Sequence, residues 1–156
     1  MKKTFLISIF ALILFIPGCS TSDSFGDNYV TLKSLNGWCL PACVSEFTVT
    51  PSKTFYKESG FQGEKGREYS AKTSKEDWQK IEFYLETTGY RTIKTEPTCA
   101  RCYDGNDYVL KIQDGRFSNE IYYTWGAEVE QIEDFDSDLR QMQSEFLNQF
   151  NEAVPE

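Results

Sequence analysis

Alternation of apolar and polar residues runs through much of this chain, and two longer stretches change to the helical period. In SEFTVT (45–50), Phe47 and Val49 share one side and Glu46, Thr48 and Thr50 the other, which reads as a half-buried strand. Pro51-Ser52-Lys53 is turn chemistry, and TFYKE (54–58) reads as the strand returning from it. YVTLKSL (29–35) sets Val30 and Leu32 against Thr31 and Lys33 and predicts a first edge strand. Gly60, Gly63 and Gly66 mark a loop, and 68–72 predicts a further strand. Tyr108, Leu110 and Ile112 share a side, as do Ile121, Tyr123 and Trp125. With Asp114-Gly115 between them, residues 107–125 predict a hairpin whose loop runs slightly over two residues.

The helical period appears first in TSKEDWQKIEFYLETTG (73–89). Trp78, Ile81 and Leu85 form one stripe, Thr73 with Glu76 has the capping-box pattern, and Gly89 supplies a left-handed stop. Residues 90–93 predict a short extended piece. The second helix is expected over about 137–152, with Leu139, Met142, Phe146, Phe150 and Ala153 in its stripe. Strands grouped in hairpins with helices between them predict an α+β fold: an antiparallel sheet of about five strands, with two main helices on one face.

The N-terminus changes the picture from fold to location. Lys2 and Lys3 precede a run, FLISIFALILFI (5–16), that is apolar except for Ser8, and Pro17-Gly18 leads into Cys19. A basic start, a short apolar segment and a small residue before the cut predict a secretory signal. A membrane-spanning helix needs about 18–20 apolar residues, more than this run supplies. IPGC (16–19) resembles the bacterial lipoprotein signal, although Pro17 stands where Ala, Ser or Thr is usual. That resemblance implies a diacylglyceryl group on the Cys19 thiol, cleavage just before it and an acylated new amine. Two or three acyl chains anchor firmly where one is marginal. Ser20, in place of the Asp that resembles an inner-membrane retention signal, points to the outer membrane. The expected organisation is a signal peptide over 1–18, a polar flexible tether over 19–28 and a single α+β domain over 29–156.

Charge narrows the partners. Removing residues 1–18 leaves 138 residues and takes the formal charge from −8 to −10 with the loss of Lys2 and Lys3. That balance argues against nucleic acid, which needs clustered cations, and against an electrostatic grip on anionic lipid. The membrane is then a partner through the covalent anchor at Cys19, and any protein or glycan partner is left open.

With Cys19 lipidated, four cysteines remain and allow three pairings. Local pairs, Cys39–Cys43 and Cys99–Cys102, close small rings worth roughly 2 kcal/mol each by chain entropy, whereas cross pairs close loops of about 60 residues worth roughly 4 kcal/mol each. Entropy alone favours the cross pairs. Four thiolates in C-x3-C and C-x2-C spacing also suit structural zinc, but the chain has no histidine and an exporting compartment opposes four reduced thiols. Reactive C-x-x-C thiols usually open a helix, whereas PTCARC (97–102) precedes a turn and a strand, with Arg101 as one charge to help a thiolate. No metal and no cofactor are expected.

Other candidates are weaker. Asp134, Asp136, Asp138 and Glu145 fall at calcium-loop positions, but Leu139 stands where such a loop needs Gly, and acids at a helix N-terminus explain the run. Asp104 and Asp107 would need a partner carboxylate for hydrolysis, and no spacing pairs them. The absence of histidine removes Ser–His and Cys–His systems. No catalytic residue is assigned. Tyr122, Tyr123 and Trp125 form a possible ligand patch able to stack on a glycan, and Tyr56, Tyr69 and Tyr84 are further aromatics without an assigned role.

WCLPACVSEFTVTPSKTFYKES (38–59) resembles the opening of a family of bacterial secreted and lipoprotein domains of unknown function. In that family C-x3-C leads into a strand, a turn and a second aromatic strand. A Gly-containing loop follows, then a capped helix ending much like ETTGYRTI here, an Asp-bearing loop, a hairpin and a C-terminal helix. The order matches over 36 to about 150. Val44 replaces the family's usual Pro, and Cys99 with Cys102 is an addition. The resemblance implies the fold, implies that Cys39 pairs with Cys43 and Cys99 with Cys102, and implies no reaction. The expected function is a lipid-anchored, non-enzymatic envelope module for binding or structure. The alternative is a thiol-based redox or metal-binding protein using the two cysteine pairs.

Overall fold

A computed structural model describes residues 26–39, 42–60, 64–127 and 129–151. The segment expected to be a signal peptide, Cys19 and most of the expected tether lie outside the described residues, as does Ala153. The strands are β1 (Asn28–Asn36), β2 (Val44–Val49), β3 (Lys53–Ser59), β4 (Lys65–Lys72), β5 (Asn106–Asp114) and β6 (Phe117–Thr124). The helices are α1 (Lys75–Thr87) and α2 (Glu133–Asn151). The class is α+β, and the antiparallel sheet has six strands where about five are expected, in the order β4-β3-β2-β1-β5-β6.

The main correction concerns β1. Expected at an edge, it lies at the centre, paired with β2 on one side and with β5 along its whole length on the other. Pairing with β5 joins segments about 80 residues apart, which local alternation cannot report. The alternation itself holds. Val30, Leu32, Phe47, Val49, Tyr56, Leu110, Ile112 and Ile121 are buried on one face, in register across neighbouring strands. Ile81 of α1 and Phe135, Leu139, Met142 and Phe146 of α2 join the same cluster, so both helices cover that face. The helices also meet directly: the Tyr84 hydroxyl donates to Asp138 Oδ2 at 2.8 Å, and its ring stacks on Phe135 with centroids 4.6 Å apart.

Local details differ from expectation for physical reasons. Ser74, not Thr73, caps α1, its Oγ accepting from the Asp77 N–H at 3.0 Å. The Thr73 hydroxyl is buried and engaged with that of Thr54 at 2.9 Å. Gly89 has φ +60°, the left-handed stop, but residues 90–92 coil into a 3₁₀ turn instead of extending. The β5–β6 loop has two residues, with Asp114 opposite Phe117 and Gly115 at φ +59°. α2 begins about one turn earlier than its apolar stripe suggests, because acidic residues fill that first turn.

The two edges of the sheet are treated differently. Asn119 Nδ2 donates to the carbonyls of Tyr90 (2.7 Å) and Ile93 (2.9 Å), and the Tyr122 N–H donates to Thr95 Oγ1 (2.6 Å). Residues 90–95 therefore lie along the β6 edge. The β4 edge is exposed and carries Lys65, Arg67 and Lys72, charges that discourage edge-to-edge pairing.

Candidate functional site

The face of the sheet away from the helices presents the alternate set of residues. Across it the register aligns Glu68, Lys57, Glu46, Lys33, Val109 and Tyr122 in one row, strand by strand. The next row aligns Ser70, Phe55, Thr48, Thr31, Lys111 and Glu120. Opposite charges face each other, with Lys33–Glu46 at 2.7 Å, Lys111–Glu120 at 3.2 Å and Lys57–Glu68 at 3.5 Å. Such cross-strand pairs are the expected dress of a solvated sheet face. Between β2 and β6 this face holds a shallow depression of about 530 Å³, within the range of small-molecule sites.

Arg101, in the loop of the second cysteine pair, bounds one end of the depression. Cys39 is bonded to Cys43 in the β1–β2 connection, and Cys99 to Cys102 in the turn before β5. Both loops lie at the same end of the sheet and are joined to each other. The Gly37 N–H donates to the Gly105 carbonyl at 3.1 Å, and Trp38 Nε1 donates to the Asp104 carbonyl at 3.0 Å. A Cβ on Gly37 would lie 2.8 Å from that Gly105 oxygen, so glycine permits the approach. Among the described residues, the non-glycine residues with left-handed φ are Cys39 and Asp104, one in each loop.

Asp107 explains why the second loop lies over this face. It stands opposite Leu35 on β1 and Thr124 on β6, on the same side as Lys33 and Tyr122, yet it is only 2 % exposed. Its carboxylate accepts the Ala100 N–H at 2.8 Å and the Arg101 N–H at 3.2 Å, capping the 3₁₀ turn Ala100–Tyr103. Burial acts to raise its pKa. The nearby Thr98 hydroxyl, these two N–H groups and the Arg101 charge outweigh burial and hold it below the usual carboxylate range. The backbone N–H bonds are the firmer part of that balance, since the buried Thr98 hydroxyl makes no well-formed hydrogen bond. The turn thus pinned carries Arg101 to the edge of the depression, which Arg101 lines with Leu35 and Val109.

Electrostatics within the depression are coupled. The Tyr122 hydroxyl donates to Glu120 Oε2 at 2.6 Å, and together with Lys111 it lowers the Glu120 pKa. The Glu120 carboxylate in turn raises those of Lys111 and Tyr122. The hydroxyls of Thr31 and Thr48 meet at 2.8 Å on the floor.

The aromatic patch expected from Tyr122, Tyr123 and Trp125 is not one surface. Neighbours on a strand point to opposite faces, so Tyr122 joins the depression while Tyr123 enters the core at 3 % exposure. There the Tyr123 hydroxyl donates to Asp136, which also accepts from Arg140 Nε at 2.7 Å. Trp125 is 74 % exposed, just past the end of β6. The acidic run is likewise dispersed, with Asp136 bound to Tyr123 and Arg140 and Asp138 to Tyr84 and Lys80. Tyr56 donates to Glu58 Oε1 at 2.6 Å, and Arg67 grips both Glu58 oxygens. Tyr69 stacks on Phe150, centroids 4.5 Å apart. Sequence reasoning missed Lys33, Glu46, Lys111 and Glu120 as a group. Their positions in the alternation put each on the polar side of its strand, but only the pairing order brings them together. Comparison with protein-family models, with curated proteins and with solved structures finds no match for this chain.

Proposed function

We propose that this chain is an exported domain, lipid-anchored through Cys19 to the cell envelope, at the outer membrane, where it acts by binding and not by catalysis. The observation that carries the reading is the pairing of all four described cysteines at disulfide distance, in local pairs, within two joined loops of which the second contributes Arg101 to a surface depression. Paired cysteines suit an oxidising compartment, the destination that the N-terminal segment resembles a signal for.

Mass spectrometry of the mature protein from a bacterial host tests the anchor. The expected product begins at an acylated Cys19, and Cys19→Ala releases the domain from the membrane fraction. A soluble, unacylated wild-type chain would overturn that reading. A thiol count on denatured mature protein tests the staples, with two disulfides and no free thiol expected. Four free thiols, or one equivalent of bound zinc, would favour the thiol-based alternative instead.

A further inference from the structure

The depression differs from the charge ladder around it. Lys57 and Glu68 balance each other farther along the face, whereas around the depression Lys33, Lys111 and Arg101 face only Glu46 and Glu120. The side chains lining the depression thus carry one more cation than anion in a chain with a formal charge of −8, and the buried Asp107 carboxylate stands behind the turn that bears Arg101. The two lysines have carboxylate partners on the neighbouring strands. Among the described residues, the Arg101 guanidinium has none within ion-pair distance; Asp107 feels its charge but is filled by backbone N–H groups. The fold spends a buried carboxylate and a disulfide on holding the turn that presents this arginine.

The floor supplies two further properties. Leu35 and Val109 give it an apolar strip, flanked by the rings of Tyr29 and Tyr122. The Thr31–Thr48 pair has two hydroxyl protons and uses one between its oxygens, so a second is not taken up by that bond. A guanidinium and a hydroxyl donor beside an apolar strip complement a carboxylate with an apolar body. A phosphate of higher charge would meet Glu46 and Glu120 at close range. A neutral sugar would leave Arg101 unanswered.

We propose that this depression binds a small molecule with a single carboxylate and an apolar body, of the size of an acylated amino acid, with Arg101 as its anion-gripping residue. The inference deepens the reading of this chain as a binding domain and rests on it. The probe is dansyl-L-leucine, with its amide as the uncharged control, titrated by fluorescence into the mature domain with intact disulfides. The acid is expected to bind at least ten times more tightly than the amide. Arg101→Gln should weaken the acid about tenfold, the scale of one charge-assisted hydrogen bond, and leave the amide unchanged. Its melting temperature should stay close to wild type, because among the described residues the Arg101 side chain makes no ion pair and the backbone N–H groups that hold Asp107 remain. Val109→Glu, which places a carboxylate on the floor, should abolish binding of the acid while Val109→Ala retains it. Equal affinity for acid and amide, no binding of the acid, or an Arg101→Gln affinity equal to wild type each overturns the proposal. Equal affinity for both probes, lost in Val109→Glu, would still leave a binding face in place, so the two readings fail separately.

Discussion

The two faces of this sheet are made from the same strands, one residue apart, and have opposite chemistry. Leu32, 2 % exposed, meets Phe47 and Leu110 across the sheet beneath the helices. Its neighbour Lys33 meets Glu46 and Val109 on the other side, in contact with solvent. The covered face holds the fold together through burial, and the open face contributes little to stability. It is therefore free to carry function. The difference is not complete, because Asp107 belongs by register to the open face yet is as buried as the core. It marks the place where a loop is held against that face, at the edge of the depression.

Substitutions on the two faces should separate these roles. Leu110→Ala removes a fully buried side chain between two strands and should cost about 2–5 kcal/mol in denaturant unfolding, without directly altering the depression. Asp107→Asn leaves the turn with poorer acceptors and should cost about 1.5–3 kcal/mol, the range for hydrogen bonds to charged groups. It should also weaken the carboxylate probe, since Arg101 loses its mooring, whereas Leu110→Ala should not.

Acid should act through the same carboxylate and through Glu58. The Arg67 guanidinium holds Glu58 below its usual range against the effect of burial, with help from the Tyr56 hydroxyl, and Asp107 is held low as described. Depressed folded pKa values mean that this stability is fully present above the unfolded values, about 4, and is lost as pH falls through the folded ones. Thermal unfolding followed from pH 7 to pH 2 should show that loss, and Asp107→Asn should flatten it. A pH dependence identical to wild type would show that the Asp107 pKa does not shift on folding. The smallest effect is expected on the open face, where Lys33→Ala should change stability by less than about 1 kcal/mol because its pair with Glu46 is solvent-exposed. A larger loss would mean that the ladder is structural and the contrast between the faces is weaker than drawn.

The sequence was most legible where structure is local. The β2–β3 and β5–β6 hairpins, the left-handed Gly89 and the stripes of α1 and α2 follow from nearest-neighbour periodicity and turn chemistry. Less legible was the choice between Thr73 and Ser74 as the α1 cap. Adjacent hydroxyls offer equal local chemistry, and the distant Thr54 claims one of them. Tyr122 and Tyr123 illustrate the same limit at the site. Alternation says that they diverge, but α2 decides which of them is buried, through Asp136.

By itself the sequence determined the period of each segment, the class of the fold and the spacing that lets each cysteine reach its near neighbour. Backbone geometry and side-chain alternation act over a few residues, and those properties depend on nothing farther away. Only the tertiary structure decided that β1 is central, that the two cysteine loops share one end, and that Arg101 lines the same depression as Lys33 and Lys111. Each of these rests on contacts between segments tens of residues apart, chosen by which apolar faces can be buried together.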